Sequence, residues 1–481
     1  MNRHDLYKAI GEADDELLER SERKKRGRGH RKPWWAAVTA AVLVIAIAAG
    51  VIVKTGVGME HASAEVIAEA VYPEMAPYPE RDGFGFEREE DRSAYNAWRE
   101  DVRAQQMQEA GYTDGLESFF SAGIRQFLSE NEGENKVCSP INIYLELAML
   151  AELTDGESRQ QILELIGTDS VEALRTQAKE VWNAQYRNDG VTTSILANSL
   201  WLDEKIPVVS SALETLADNY YASSYQGTMG SRRFNRMLQD WLNEQTGGLL
   251  EKQVQETILD EQTILALIST IYYQAQWGKE FDEENTLPDT FHAISGEITC
   301  DFMHGYSVET YYGTERFEAV SWKVDNDGGI MWFLLPEEGV TVENLLHDAE
   351  TMDFLLNGGD PEKRKEVILN LSVPKFDITY ETELSEGLQE LGVTDIFDSR
   401  VADFSPLTGQ ADGICVSQAN HNVRVAIDEK GVSAAAYTEI IILGGGAADP
   451  EEIEMNLNRP FIFAITSHDG LPLFVGCVYE P

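Results

Sequence analysis

The sequence predicts an α+β fold, and three observations carry that reading. Segments of helical period gather between residues 114 and 246. Strand-like runs dominate from Val423 to the end. The two kinds do not alternate as a doubly wound parallel sheet would require. At 481 residues the chain is long for one domain and short for three, with an ordinary hydrophobic share of 43%.

The amino-terminal stretch changes character abruptly. Arg20, Arg23, Lys24, Lys25, Arg26, Arg28, Arg31 and Lys32 precede Trp34-Trp35 and an uncharged apolar run from Ala36 to Val53. Roughly 20 helical residues cover the ~30 Å hydrocarbon core of a bilayer. The basic flank and interfacial tryptophans predict a cytoplasmic segment, 1–33, and a single transmembrane signal-anchor, 34–53. Residues beyond it then lie outside the cell. A cleaved signal peptide is the competing reading, with Ala62-Ser63-Ala64 as its small-residue site and a secreted product. Residues 54–111 read as an acidic, proline-containing tether, because Tyr72 to Glu80 is crowded with prolines and acids. Within it, Glu89 to Ala110 has the composition of a charged helix. The folded domain is expected over 112–481.

Asp114 is expected to open a helix, with Glu117 as capping-box partner and Leu116, Phe120, Ile124, Phe127 and Leu128 on one face. Ser139-Pro140 is a strong helix start. The following run from Ile141 to Leu153 is apolar on most sides and so predicted buried. Helices are predicted over 170–185 and 236–246. Strands are predicted over 193–202, 264–273, 330–335 and 366–376.

The formal net charge of −45 argues against nucleic acid as a partner, which needs a face rich in Lys and Arg. It also makes heparin-like polyanions poor candidates. Cys138, Cys300, Cys415 and Cys477 are far apart and form no CxxC pair. No metal knuckle or redox motif is implied, and no cofactor is expected; a disulfide stays open.

The stretch Asp428-Glu429-Lys430-Gly431-Val432-Ser433-Ala434-Ala435-Ala436-Tyr437-Thr438-Glu439 follows a strand-like run. Its acid-Gly-small-Ala order resembles the hinge of a serpin's reactive-centre loop. Other stretches resemble serpin motifs in the right order: Cys138-Ser139-Pro140-Ile141-Asn142-Ile143, Leu196-Ala197-Asn198-Ser199-Leu200-Trp201, Asn243 to Gly248, Leu267 to Tyr273 with Trp277, Val373 to Phe376, Ala402 to Ser405, and Asn458 to Phe463. The resemblance implies a serpin fold of three β-sheets with about eight or nine helices and an exposed loop. It implies a monomeric inhibitor of serine proteases, with cysteine proteases as a second class, rather than an enzyme. It further implies a Glu429–Lys375 pair near Trp277, and a polar cluster of Ser139, Asn142, Ser269 and His421 beneath the opening of the central sheet. Ser269 and Asn142 depart from the family's usual Asn and Ser. His421 is expected to be structural, since no nucleophile and acid accompany it.

Serpins trap proteases when the cut loop enters the central sheet as a new strand. With Val432 as the first inward position, Ala434, Ala436, Thr438, Ile440 and Ile442 also face inward, and Ser433, Ala435, Tyr437, Glu439 and Ile441 outward. The charge and the ring both fall outside, which avoids burying an unpaired carboxylate. The loop length usual in serpins, counted from Glu429, implies a scissile bond at Gly445-Gly446 and favours elastase-like or subtilisin-like targets, whereas Leu443 would suit chymotrypsin-like or papain-like ones. The alternatives are a non-inhibitory serpin acting as a binding or chaperone-like module, and a hydrolase.

Overall fold

The computed structural model describes residues 63–79, 88–129, 133–250, 254–255, 257–410, 413–432 and 451–481. The predicted basic segment, membrane span and loop beyond Val432 lie outside the described residues. Among the described residues, no helix is long and apolar enough to cross a membrane.

The described chain begins with β1 (Ala64–Ala68), α1 (Glu89–Gln106), α2 (Leu116–Leu128), β2 (Lys136–Cys138), α3 (Pro140–Leu153), α4 (Gly156–Ile166) and α5 (Val171–Gln185). It continues with β3 (Arg187–Asn188), β4 (Thr193–Asp203), α6 (Ser210–Tyr220), β5 (Ala222–Gly227), α7 (Arg232–Gln245) and β6 (Leu265–Gln276). Then come β7 (Leu287–Ala293), β8 (Gly296–Gly313), β9 (Phe317–Lys323), β10 (Ile330–Pro336), α8 (Val342–Leu346) and α9 (Ala349–Asn357). The last elements are β11 (Arg364–Pro374), β12 (Phe376–Glu383), α10 (Ser385–Glu390), α11 (Ser405–Thr408), β13 (Gln418–Ile427), β14 (Gly431–Val432), β15 (Glu451–Asn456), β16 (Phe461–Thr466) and β17 (Pro472–Val478).

The central sheet has the order β1-β5-β4-β6-β14-β13-β12, with β3 on β4. The second has the order β15-β11-β8-β9-β10-β16-β17-β2, with β7 on β8. The class is α+β as expected, but the second and third sheets are continuous. β8 is 18 residues long, pairs with β7 over its first half and runs along β11. The described residues contain eleven α-helices, three of them only four to six residues long.

Ser139 caps α3 as its sequence predicts, accepting from the Asn142 backbone N–H with Pro140 in the first turn. All of α3 is buried, because it lies beneath the central sheet. Along β4, Leu196, Leu200 and Leu202 enter the main core. Ala197 and Trp201 join a second cluster under α7, where Trp201 stacks on Tyr225 at 4.2 Å between centroids. The period of two thus sends each side chain to one of two covered faces. Asp114 does not cap α2: Gly115 is the N-cap, at φ 87°, without a side-chain bond.

The reading of residues 54–111 as an unpacked tether is corrected where the residues are described. The compact unit begins at Ala62, not at residue 112. β1 adds an antiparallel edge strand to β5. Tyr72 lies among Trp182, Tyr186 and Tyr221, 5.5 to 6.3 Å between centroids, and its hydroxyl donates to Gln245. Helix α1 buries Trp98, Val102 and Gln106. Gln106 donates to the carbonyls of Ala184 and Tyr186. Composition missed this because the few apolar residues are spaced as anchors; an exposed edge strand gains by being covered.

Candidate functional site: the upper end and middle of the central sheet

The end of β13 turns tightly into β14. Asp428 Oδ1 accepts from the backbone N–H groups of Lys430 and Gly431, at 2.9 and 3.2 Å. Gly431 then pairs with Gln276, and Val432 with Ala275 of β6 and Ile427 of β13. A Cβ at Gly431 would meet the Ala275 carbonyl oxygen at 2.2 Å, so only glycine fits here. Val432 is 2% exposed.

Glu429 is held from three sides. Lys375 Nζ donates to its two oxygens at 3.0 and 2.8 Å, and Thr286 Oγ1 donates to Oε1 at 2.8 Å. Its backbone carbonyl accepts from Phe281 N–H at 2.8 Å. Burial alone would raise its pKa, but Lys375 and Thr286 hold it below the usual carboxylate value. The pair is more enclosed than its sequence suggests, with Glu429 buried. Trp277 Nε1 donates to the Asp428 carbonyl at 2.8 Å, and Trp277 N–H to that of Lys430 at 3.0 Å. Thus Glu429, Gly431, Val432, Lys375 and Trp277 converge at one end of the sheet.

Lower down, β13 pairs directly with β6, His421 opposite Ser269. His421 is fully buried, and its Nε2 accepts from the Ser139 backbone N–H at 3.0 Å. Burial pushes its pKa down to about 4. The imidazole is therefore neutral and contacts no nucleophile, in keeping with a structural role. Its Nδ1 has no partner, nor do both amide atoms of Asn142 or the hydroxyl of Ser269. The sheet middle thus holds Ser139, Asn142, Ser269 and His421 together but leaves the last three poorly satisfied.

The sequence reading missed Glu146. It lies one turn after Asn142 on α3 and is 5% exposed. Burial raises its pKa to about 8, while the backbone N–H and hydroxyl of Ser269 pull it back only in part. Neither Glu146 Oε1 nor Ser269 Oγ reaches good hydrogen-bond geometry. A glutamate inside an otherwise apolar helix was the available signal. The other glutamate of that helix, Glu152, is bound bidentately by Arg175 at 2.5 and 2.7 Å and by Tyr220 at 2.9 Å. Ser433, Ala434, Ala435, Ala436, Thr438, Gly445 and Gly446 lie outside the described residues. All four cysteines are free.

Residues 116–481 match the profile of the family described as Serpin (serine protease inhibitor). The chain belongs to the serpin family. Serpin-ZX of Arabidopsis thaliana is 25% identical over 366 residues, covering 73% of this chain and 93% of the relative. Plasminogen activator inhibitor 1 of Neovison vison is 28% identical over 387 residues, covering 74% and 90%. Among solved structures, the thermophilic serpin tengpin in its native state superposes with a TM-score of 0.68 at 25% identity, covering 78% of this chain and 95% of that one. Serpins are protease inhibitors rather than enzymes, which sets aside the hydrolase reading.

Proposed function

We propose that this serpin inhibits serine proteases by suicide trapping, with the cleaved loop entering the central sheet between β6 and β13. The observation that carries the reading is the seat of Gly431 and Val432, already hydrogen-bonded between those strands. The burial of Val432 in the main core supports taking it as the first inward position. Continued in the same parity, the small or uncharged residues Ala434, Ala436 and Thr438 follow it inward. Gly445-Gly446 is the proposed reactive bond, and elastase-like or subtilisin-like enzymes are the favoured targets. The basic and apolar runs before Val53 support a single-pass anchor that holds an extracellular serpin domain at the cell surface, an organisation that resembles bacterial serpins. Cleavage at Ala62-Ser63-Ala64 would instead release it.

Incubation with elastase-like and subtilisin-like proteases is expected to give a complex that survives SDS, and mass spectrometry of the released fragment to place the cut at Gly445-Gly446. Clean loop cleavage without a complex would favour the non-inhibitory binding or chaperone-like reading. Ala434→Arg is expected to convert inhibitor to substrate, because burying an unpaired guanidinium costs several kcal/mol and would slow insertion relative to hydrolysis. Trapping at unchanged stoichiometry would refute the register.

A further inference from the structure

A cavity of about 300 Å³ opens between α1 and the body of the fold. It exists only because the amino-terminal segment docks. Trp98 and Val102 of α1 face Val324 and Ile330 across it, giving apolar walls. Arg99, Arg103, Arg187, Lys323, Asp327 and His468 supply its polar groups. Arg99 grips Asp327 through two bonds of 2.8 and 2.9 Å, and Arg103 reaches it at 2.8 Å. Although burial alone would raise it, these arginines hold the Asp327 pKa below the usual value.

Arg187 is the informative member. Its side chain is 3% exposed. Nε donates to Asp189 at 2.7 Å and Nη1 to the Asn326 carbonyl at 2.9 Å, but buried Nη2 has no partner. Its guanidinium lies 5.5 Å from the centre of the Trp98 ring. Behind it sits a chamber of about 10 Å³, where Gln185 Oε1, Thr192 Oγ1 and Ser194 Oγ also lack partners. That is room for a single oxygen atom.

The charge balance points the same way. Asp189 lies behind Arg187, and Glu309 is 3.9 Å from Lys323. Among the lining groups and these two partners, four cations stand against three carboxylates, leaving one positive charge on a chain that is otherwise strongly acidic. Desolvation, Arg187 and Arg103 push the His468 pKa down against the opposing effect of Asp327.

We propose that this cavity binds a small amphipathic monoanion, an aromatic or branched carboxylate. Its apolar body lies between Trp98, Val102, Val324 and Ile330, and its oxyanion accepts from Arg187 and Arg103. The volume is at the small end of ligand pockets, which suits one or two rings. A buried cationic donor without a partner favours the anion over water alone, because a charge-assisted bond is the stronger.

The test titrates the full chain with 2-naphthoate, 2-naphthamide and inorganic phosphate, reading calorimetric heat and the unfolding temperature. Saturable binding of naphthoate is expected, at least about tenfold tighter than that of the uncharged amide or of phosphate, the worth of one charge-assisted bond or of the apolar body. Arg103→Ala, on an exposed side chain, is expected to weaken naphthoate about tenfold. The double variant Arg187→Gln/Asp189→Asn removes the buried pair together, so that no charge is stranded, and is expected to abolish discrimination between naphthoate and naphthamide. No saturable naphthoate binding, equal affinity for the amide, phosphate binding as tightly, or indifference to Arg103→Ala would each overturn the proposal.

Discussion

The two polar clusters of the central sheet are opposites. At its upper end Glu429 has an ion pair, a hydroxyl donor and a well-bonded backbone. In its middle, Asn142, Glu146, Ser269 and His421 all carry buried atoms without partners. On the proposed mechanism the hinge enters at the upper end, where hydrogen bonds fix Glu429 and Gly431 in one geometry. The middle is where the sheet must part. Buried polar groups that lack partners make the closed arrangement costly, each by about 1–3 kcal/mol. A strand inserted above them would bring new backbone donors and acceptors. The difference teaches where the unmet hydrogen bonds of this sheet gather: in its middle, not at its upper end.

The two glutamates also titrate in opposite directions. For Glu146 the folded value is raised from 4.5 to about 8. Its neutral form therefore stabilises the fold fully below pH 4.5, and that contribution is lost as pH rises towards 8, at most about 1.4 kcal/mol per unit. Glu429 is lowered in the folded state, so its contribution is present above 4.5 and lost as pH falls through the folded value. His421 is lowered from 6.5 to about 4, so its contribution is present above 6.5 and lost as pH falls towards 4.

The largest expected effect comes from Glu146→Gln. It should stabilise the protein at pH 8 by on the order of 3 kcal/mol and flatten the alkaline side of the stability profile. Denaturant melts from pH 4 to 9 measure this. A variant that keeps the wild-type slope above pH 6.5 would show that Glu146 is not the titrating group. Next is Gly431→Ala, which forces a methyl against the Ala275 carbonyl. It is expected to cost about 1–3 kcal/mol or to expel the hinge from the sheet; faster proteolysis between Asp428 and Ser433 distinguishes the second outcome. The smallest is Lys375→Ala, about 1 kcal/mol for a half-exposed pair. Its effect should fade as pH falls from 4.5 through the lowered folded value, where Glu429 takes up its proton even in the wild type. If Lys375→Ala exceeded Glu146→Gln in magnitude, the contrast between the upper end and the middle would be reversed.

Much of the fold is legible in the order of residues alone. Ser139-Pro140 announces the start of α3, the run over 193–202 announces a strand, and the order of short motifs announces the family. These signals are local: a cap or a period of two needs only a few neighbouring residues. Glu429 with Lys375 is legible only through the resemblance, since 54 residues separate them. The docking of Ala64–Ala68 and α1 is not legible, because tether-like composition says nothing about a distant edge that needs covering.

The sequence by itself determined the α+β class, the Ser139 cap of α3 and the order of motifs. Only the tertiary structure decided that Glu146 is buried without a good partner, that Gly431 must be glycine because the Ala275 carbonyl stands against it, and that α1 completes a cationic cavity around Arg187. The reason is physical. Propensity and period are properties of neighbours along the chain, whereas desolvation, close approach and charge balance depend on which remote segments come to lie against one another.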